Sequence, residues 1–245
     1  MNNKTNGIYY DLMKNPSSRE NLVFIHGSGC NRKFLKPQAK YFFAYNCYLI
    51  DLPDHGKSDT MDCTKAEDFA AAVATFITTL SHVTIIGHSL GGALCVAISA
   101  MQLPSVKRSI IISGGAKFDQ LDPEFHGMLS KNRMNWPYIL RCCGSLNSLA
   151  VWLDFLTFEP AKTILRDFEI DTRIDFEPLM ANITVPTLIL VGADDILTIP
   201  AYSHKMHKGI ENSELKIIPK FRHMLPIADR KEVAGLIQAF LTLHP

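Results

Sequence analysis

The chain is 245 residues long, 47% hydrophobic and 20% charged, with a formal net charge of +1 at pH 7. A chain of this length buries roughly 70–75% of its unfolded surface, so a single α/β core needs no staples. Near-neutral charge without a basic stripe argues against nucleic acid or an anionic membrane as partner, and the polar opening Met1-Asn2-Asn3-Lys4 and the lack of any 18-residue apolar run argue against a signal peptide or a membrane span.

The rhythm of the first half alternates strand and helix. Ile8–Met13 reads as a first strand closed by the turn Asn15-Pro16-Ser17-Ser18. Asn21–Ile25 is a continuous apolar run, as expected of a strand buried on both faces, and it ends in the glycine-rich loop His26-Gly27-Ser28-Gly29. Arg32–Tyr45 is expected to be helical, with Pro37 blurring its start, and Tyr48–Ile50 is the next strand, ending in Asp51-Leu52-Pro53-Asp54-His55-Gly56-Lys57-Ser58. Thr64-x-x-Glu67 has the pattern of a capping box, and Phe69, Val73, Phe76, Ile77 and Leu80 then share one helical face.

Val83–Ile86 runs straight into Gly87-x-Ser89-x-Gly91 and an Ala/Leu/Val-rich helix. Strand and helix meet at one residue, which forces Ser89 towards positive φ and pushes its hydroxyl out at the top of a sheet. The first N–H groups of the following helix lie beside it at the positive end of the helix dipole. Such a corner can attack a carbonyl and hold the resulting charge. Val106–Ser113 follows as a strand.

From Gly114 to Asn182 the rhythm stops. The segment is rich in aromatics, has no buried-strand run, and is expected to form helical pieces broken at Pro123, Pro137, Gly144 and Pro160. An ordinary crossover needs only about a dozen residues. The excess length argues for a helical cap, with 1–115 and 183–245 forming the core and 116–182 the cap. Pro186–Val191, Pro200–Lys208, Leu215–Ile218 and a final helix bearing Val233, Ile237 and Phe240 then resume the alternation, which implies a mostly parallel sheet.

In such a sheet ligands gather at the carboxyl ends of the strands, where the His26 loop, Asp51, Ser89, Asp194/Asp195 and His223 all fall. A serine nucleophile needs a base, and the base needs an orienting carboxylate. Of nine histidines, His223 alone lies between the last strand and the last helix; His26 and His88 are expected to play hydrogen-bonding structural roles, and His55, His82, His126, His204, His207 and His244 to be solvated. Cys30, Cys47, Cys63, Cys95, Cys142 and Cys143 form no Cys-x-x-Cys pair, so free, mostly buried thiols in a reducing, cytoplasmic setting are expected, with no metal site.

The His26-Gly27 loop, the Asp51-Leu52-Pro53-x-His55-Gly56 segment, the Ser89 elbow, the Gly192-x-x-Asp195 turn and the late His223 together resemble the α/β-hydrolase superfamily over essentially the whole chain. The resemblance implies the α/β-hydrolase fold, a mostly parallel sheet flanked by helices with a helical cap inserted after the sixth strand. It implies Ser89 as nucleophile, His223 as general base and then acid, and Asp195 rather than Asp194 as the orienting acid. It also implies an oxyanion hole from the backbone N–H groups of Ser28 and Leu90. Asp54 and Arg222 depart from the family, which usually carries glycine at both places.

The expected activity is a cofactor-free serine hydrolase acting on small to medium apolar acyl or aryl esters, or thioesters, through an acyl-enzyme. The same machinery in relatives also cleaves C–C bonds, amides or cyanohydrins, and a non-catalytic ligand receptor would keep the pocket but damage the triad. Trp136 and Trp152 of the cap, with Met224 beside the base, are expected to line the substrate pocket. An inward-facing Arg133, Arg141 or Arg222 would instead favour a carboxylate-bearing substrate. The expected partner is a small-molecule ester; the oligomeric state is left open.

Overall fold

A computed structural model describes residues 3–143 and 158–245. Eight strands form one sheet: β1 (Lys4–Thr5), β2 (Ile8–Met13), β3 (Asn21–Ile25), β4 (Asn46–Ile50), β5 (Val83–His88), β6 (Val106–Ile112), β7 (Thr187–Gly192) and β8 (Ser213–Ile218). Their spatial order is β1-β2-β4-β3-β5-β6-β7-β8, antiparallel at β1–β2 and β2–β4 and parallel from β4 to β8. The chain steps from β3 outward to β4 on one side and returns to β5 on the other, so β3 and β5 flank the point where the winding reverses. Their register pairs Ile25 with Gly87. The His26–Gly29 loop and Ser89 therefore leave the sheet side by side in the crevice where open α/β sheets bind ligands.

Continuous apolar strands make sense because both faces are covered. Along β3, Leu22 and Phe24 enter one core cluster with Leu49, Ile86 and Leu190. Val23 and Ile25 enter the other with Ile50, Ile85 and Ile189. Each such side chain stabilises the fold by roughly 1.5–3 kcal/mol relative to exposure. The edge strand β8 is the exception, with Glu214 and Lys216 on an open edge, charges that discourage pairing with another chain.

The helices differ in detail from expectation. Only Lys36–Ala39 (α1) of the Arg32–Tyr45 stretch is α-helical. Beyond it the chain coils in tight turns, Tyr41 N–H to Gln38 C=O and Phe42 N–H to Ala39 C=O, that bury Phe42 in the core. The next helix, α2, is Ala66–Ile77, so Leu80 lies past its end. Its cap is set one residue later than the sequence pattern suggests, because the Asp68 carboxylate, not Glu67, accepts the N–H groups of Thr64 and Lys65 at 3.0 and 3.2 Å. Leu90–Ala100 (α3) packs on α2 over one face of the sheet.

Between β6 and β7 the described residues contain α4 (Pro123–Ser130), α5 (Trp136–Cys143), α6 (Ala161–Asp171) and a 3₁₀ turn, Glu177–Asn182. The prolines separate these helices as expected, each standing at a helix start. Pro123 and Pro137 sit in first turns and Pro160 precedes Ala161, positions where a missing N–H costs nothing. Gly144, Trp152 and Phe155 lie outside the described residues. Pro200–Gly209 (α7), Leu225–Ala228 (α8) and Arg230–Leu243 (α9) complete the chain. All six cysteines are free and buried, and no helix among the described residues is long and apolar enough to cross a membrane.

Candidate active site

β5 ends at His88 and α3 begins at Leu90, so Ser89 alone turns the corner. Its φ of 56° and ψ of −120° are costly for a residue with a Cβ, of order 1–3 kcal/mol. The surroundings hold it there: Ser89 N–H donates to Ile112 C=O at 3.0 Å, and Ala93 N–H to Ser89 C=O at 3.1 Å. The flanking glycines are steric necessities. A Cβ on Gly87 would lie 2.0 Å from the Gly91 carbonyl oxygen, and one on Gly91 would lie 2.2 Å from that of Ile25.

Ser28 follows β3 in the adjacent loop. Its hydroxyl donates to Asp171 Oδ2 at 2.6 Å, and the next amide, Gly29 N–H, donates to Asp167 Oδ2 at 2.7 Å. Asp167 and Asp171 are four residues apart on α6 and so share one helical face, which grips the loop at two successive residues. Leu90 occupies the first position of α3, where N–H groups have no intrahelical acceptor.

His223 Nδ1–H faces Asp195 Oδ2 at 3.1 Å, both side chains buried. Asp194 is exposed and uses its backbone N–H on Phe221 C=O. Burial pushes the Asp195 carboxyl up, but His223 and the Thr198 hydroxyl and N–H outweigh it and hold it below the ordinary carboxylate value. Leu197 and Thr198 N–H groups each reach Asp195 Oδ1 at 2.9 Å, and Thr198 Oγ1 lies 2.7 Å from Asp195 Oδ2 and 3.0 Å from His223 Nδ1. Thr198 thus braces both partners. The sequence reading missed it; its signal was a threonine three residues past Asp195, the spacing at which a carboxylate caps the N–H groups that follow it.

His88 Nε2–H donates to His223 C=O at 2.9 Å, fixing the backbone of His223. Burial and the nearby His223 lower its pKa to about 3, so it stays neutral. His26 behaves alike, its pKa also lowered to about 3 by burial and by His55; Nδ1–H donates to Gly27 C=O and Nε2 accepts Leu52 N–H. The structural roles expected for both hold. His55, however, is not solvated. It is 1% exposed, with Nδ1 2.7 Å from Pro53 C=O and Nε2 2.7 Å from Asp167 Oδ2. Both neighbours are acceptors, so both ring nitrogens carry protons and the pair is ionic. Burial lowers the His55 pKa, but Asp167 outweighs it and raises it above the ordinary value. Burial likewise raises Asp167, and His55, Gly29 N–H and Arg166 bring it below. Nothing local in the sequence signals this pair, because the partners are 112 positions apart.

A cavity of about 510 Å³ brings Ser28, Ser89, His223 and Met224 together under Trp136, Ile139, Ile164 and Phe168. Trp152, expected beside them, is outside the described residues. A smaller cavity of about 270 Å³ shares Ser89, Phe168 and Leu197 and adds Phe118, Leu121, Phe125, Thr198 and Asp171. Among the described residues no arginine or lysine lines either cavity. Arg141 pairs with Glu124 at 2.5 Å, and Arg133 lies on an outer groove beside Lys131. Also among the described residues, no group of three or more His, Cys, Asp or Glu is placed to hold a metal ion.

The model of the alpha/beta hydrolase family matches residues 22–236. The chain belongs to the alpha/beta hydrolase family. Its structure superposes on that of a lipase-esterase related protein from Clostridium acetobutylicum with a TM-score of 0.92 and 34% identity, covering 96% of this chain and 99% of the other. By sequence it is 24% identical to the (E)-2-((N-methylformamido)methylene)succinate hydrolase of Acinetobacter baylyi, over 92% of each chain. It is 22% identical to a pimeloyl-[acyl-carrier protein] methyl ester esterase of Neisseria meningitidis, over 92% of this chain and 95% of the other. The eight-stranded sheet is therefore an alpha/beta hydrolase sheet, as the resemblance implied.

Within this alpha/beta hydrolase the two departures have local explanations. Asp54 has φ 64°, the left-handed conformation glycine adopts freely, and its carboxylate recovers the cost by accepting Met61 N–H at 2.7 Å and Cys63 N–H at 3.2 Å. Arg222 Nη1 donates to Arg141 C=O at 2.5 Å, while His223 N–H reaches Cys142 C=O at 3.3 Å. The last turn of α5 is thereby tied to the loop that carries His223.

Proposed function

We propose that this alpha/beta hydrolase is a serine esterase acting on carboxylic esters, or thioesters, of small to medium apolar acyl or aryl groups, with residues 116–182 as a cap over the site. The observation that supports it most is the convergence of three groups on one apolar cavity: a serine held at positive φ, a histidine paired with a buried carboxylate, and a loop residue, Ser28, anchored through its hydroxyl. Cavities of this make-up, apolar with a few convergent polar groups, bind small molecules.

In the proposed cycle Ser89 Oγ attacks the ester carbonyl as its proton passes to His223 Nε2. Asp195 stabilises the imidazolium and fixes its orientation, and Thr198 holds that carboxylate in place. The carbonyl oxygen, now an oxyanion, meets the N–H groups of Ser28 and Leu90, each typically worth about 2.7–4 kcal/mol in the transition state. The tetrahedral intermediate collapses, the C–O bond breaks, and His223 returns the proton to the departing alkoxide. Water, deprotonated by His223, then repeats the sequence on the acyl-enzyme and frees the acid and Ser89. Trp136 and Met224, on the cavity wall, contact the apolar part of the substrate, and Trp152 is assigned the same role. The absence of an inward arginine among the described residues favours neutral over carboxylate-bearing esters.

The test is covalent labelling with turnover. A serine-directed organophosphonate adds to Ser89 in the parent and not in Ser89→Ala, and that variant loses roughly 10⁴–10⁶ in kcat towards an activated aryl ester while keeping its fold. Adduct on another serine, or unchanged turnover in Ser89→Ala, refutes the assignment.

A further inference from the structure

Among the described residues, Asp171 is the one polar group of the smaller cavity that neither the sequence reading nor the proposed cycle uses. It stands at the end of α6, and its carboxyl is buried. One oxygen, Oδ2, accepts the Ser28 hydroxyl at 2.6 Å; the other, Oδ1, is buried without a hydrogen-bond partner. Leaving such an atom unpaired costs of order 1–3 kcal/mol, so a position of this kind in a cavity wall calls for a ligand group to complete it. The rest of the wall is Phe118, Leu121, Phe125, Phe168 and Leu197, with Thr198 already engaged by Asp195. Ser89 opens onto this cavity as well as onto the larger one. A substrate bonded at Ser89 can therefore place one arm in each.

The chemistry of Asp171 narrows what the smaller arm carries. Burial, opposed by the Ser28 hydroxyl and reinforced by the Asp167 charge one turn earlier, raises its carboxyl to a pKa of about 8. At neutral pH it is largely a carboxylic acid, which both donates and accepts. Asp167 is the charged group facing it from α6, and its Oδ2 is already taken by Gly29 N–H and His55. A ligand carboxylate would meet that negative field, and a bare alkyl group would leave Oδ1 unpaired. A hydroxyl complements the carboxyl in either protonation state.

We propose that the smaller cavity is a subsite for a hydroxyl-bearing arm of the substrate, whose O–H pairs with Asp171 Oδ1 while its carbons lie among Phe118, Leu121 and Phe125. This makes the preferred substrates hydroxylated esters, and it rests on the esterase reading above. Two matched pairs test it: 4-nitrophenyl butanoate against 4-nitrophenyl 3-hydroxybutanoate, and propyl against 3-hydroxypropyl butanoate. Each kcat/KM ratio is divided by the ratio for plain alkaline hydrolysis, which removes the intrinsic effect of the hydroxyl on reactivity.

In the parent enzyme the hydroxylated member of one pair wins by at least about tenfold, and the winning pair reveals whether the acyl or the alcohol arm occupies the subsite. That ratio collapses in Asp171→Leu, and also in Leu121→Trp, which fills the subsite without touching Asp171. No preference in either pair of the parent, a ratio that survives both variants, or a larger advantage for a matched monoester of a dicarboxylic acid overturns the subsite. If the organophosphonate labels Ser89 and the plain esters turn over without hydroxyl preference, this inference alone fails. If Ser89 is not labelled and no ester turns over, it falls together with the esterase reading.

Discussion

The buried His55–Asp167 pair offers the sharpest test of how the site is built. Both side chains are 0% exposed and 2.7 Å apart, and Asp167 also receives Gly29 N–H and Arg166. Asp167→Asn keeps the volume but removes the charge. His55 must then lose its proton or remain an unpaired buried cation, and with the amide oxygen kept on Gly29 N–H and His55 the amide NH2 would face the Arg166 guanidinium that Asp167 Oδ1 now accepts. Breaking one side of a buried ion pair costs about 3–5 kcal/mol. For a chain of this size each kcal/mol moves Tm by about 2–4 °C, so the melting point should fall by about 6–20 °C. Replacing both residues by leucine removes the charges together and should cost less than the single change.

The pH dependence follows from the directions of the two shifts. His55 is raised in the folded state, so its stabilisation is complete below its unfolded pKa of about 6.5 and is lost as pH rises through the folded value. Asp167 is lowered, so its contribution is present above its unfolded pKa of about 3.9 and is lost as pH falls through the folded value. The gap in Tm between parent and Asp167→Asn should therefore be widest between these limits and narrow on both sides. Differential scanning calorimetry across pH 3–9 reads it directly. A gap independent of pH, or a variant melting within 2 °C of the parent at pH 5–6, refutes the ionic assignment.

Asp195→Asn should lower kcat about 10⁴-fold by presenting the imidazole in the wrong tautomer, whereas exposed Asp194→Asn should cost far less; steady-state rates with the reverse ranking would move the acid. Thr198→Val removes the hydroxyl that braces Asp195 and His223 and should lower kcat by about 5–30-fold with little change in KM, and an unchanged kcat would reduce Thr198 to packing. Asp171 has a folded pKa of about 8, above its unfolded value, so the unfolded chain releases its proton first and stability erodes from about pH 4 up to 8. The Tm of Asp171→Asn relative to the parent should rise over that interval and level off above it, and a flat difference would show the carboxyl to be ionised throughout.

What the sequence disclosed and what it withheld divide along one physical line. The elbow was legible because its chemistry is local: a serine at positive φ needs small neighbours two residues away, and Gly87 and Gly91 stand there in plain sequence. The strands were legible because a doubly covered strand must be apolar without interruption, as Leu22–Ile25 and Leu188–Val191 are. The α1 region misled because its aromatics satisfy helical spacing as well as they satisfy a series of tight turns, and only burial of Phe42 chooses between them. His55 misled for the opposite reason, since a histidine in a polar loop carries no mark of a carboxylate that arrives from α6. Asp167 and Asp171 were equally silent. Four residues apart on a helix, they read as an ordinary solvated face until the fold lays that face across Ser28 and Gly29.

That division bears on how specificity arises in this fold. The groups proposed to react sit on short-range devices, an elbow and two strand-end loops, which any sequence of this pattern must reproduce. The residues between β6 and β7 contribute through contacts between positions far apart in the chain: Asp167 and Asp171 onto the Ser28 loop, Arg141 and Cys142 carbonyls onto the His223 loop. Both loops that carry the proposed chemistry are thus fastened to the same inserted segment that walls the two cavities. A substitution in α5 or α6 that reshapes the pocket also pulls on the proposed oxyanion donor or the proposed base. Substrate preference and turnover should therefore change together in variants of these helices, and separately in variants of Phe118 or Leu121, which line a cavity without holding either loop.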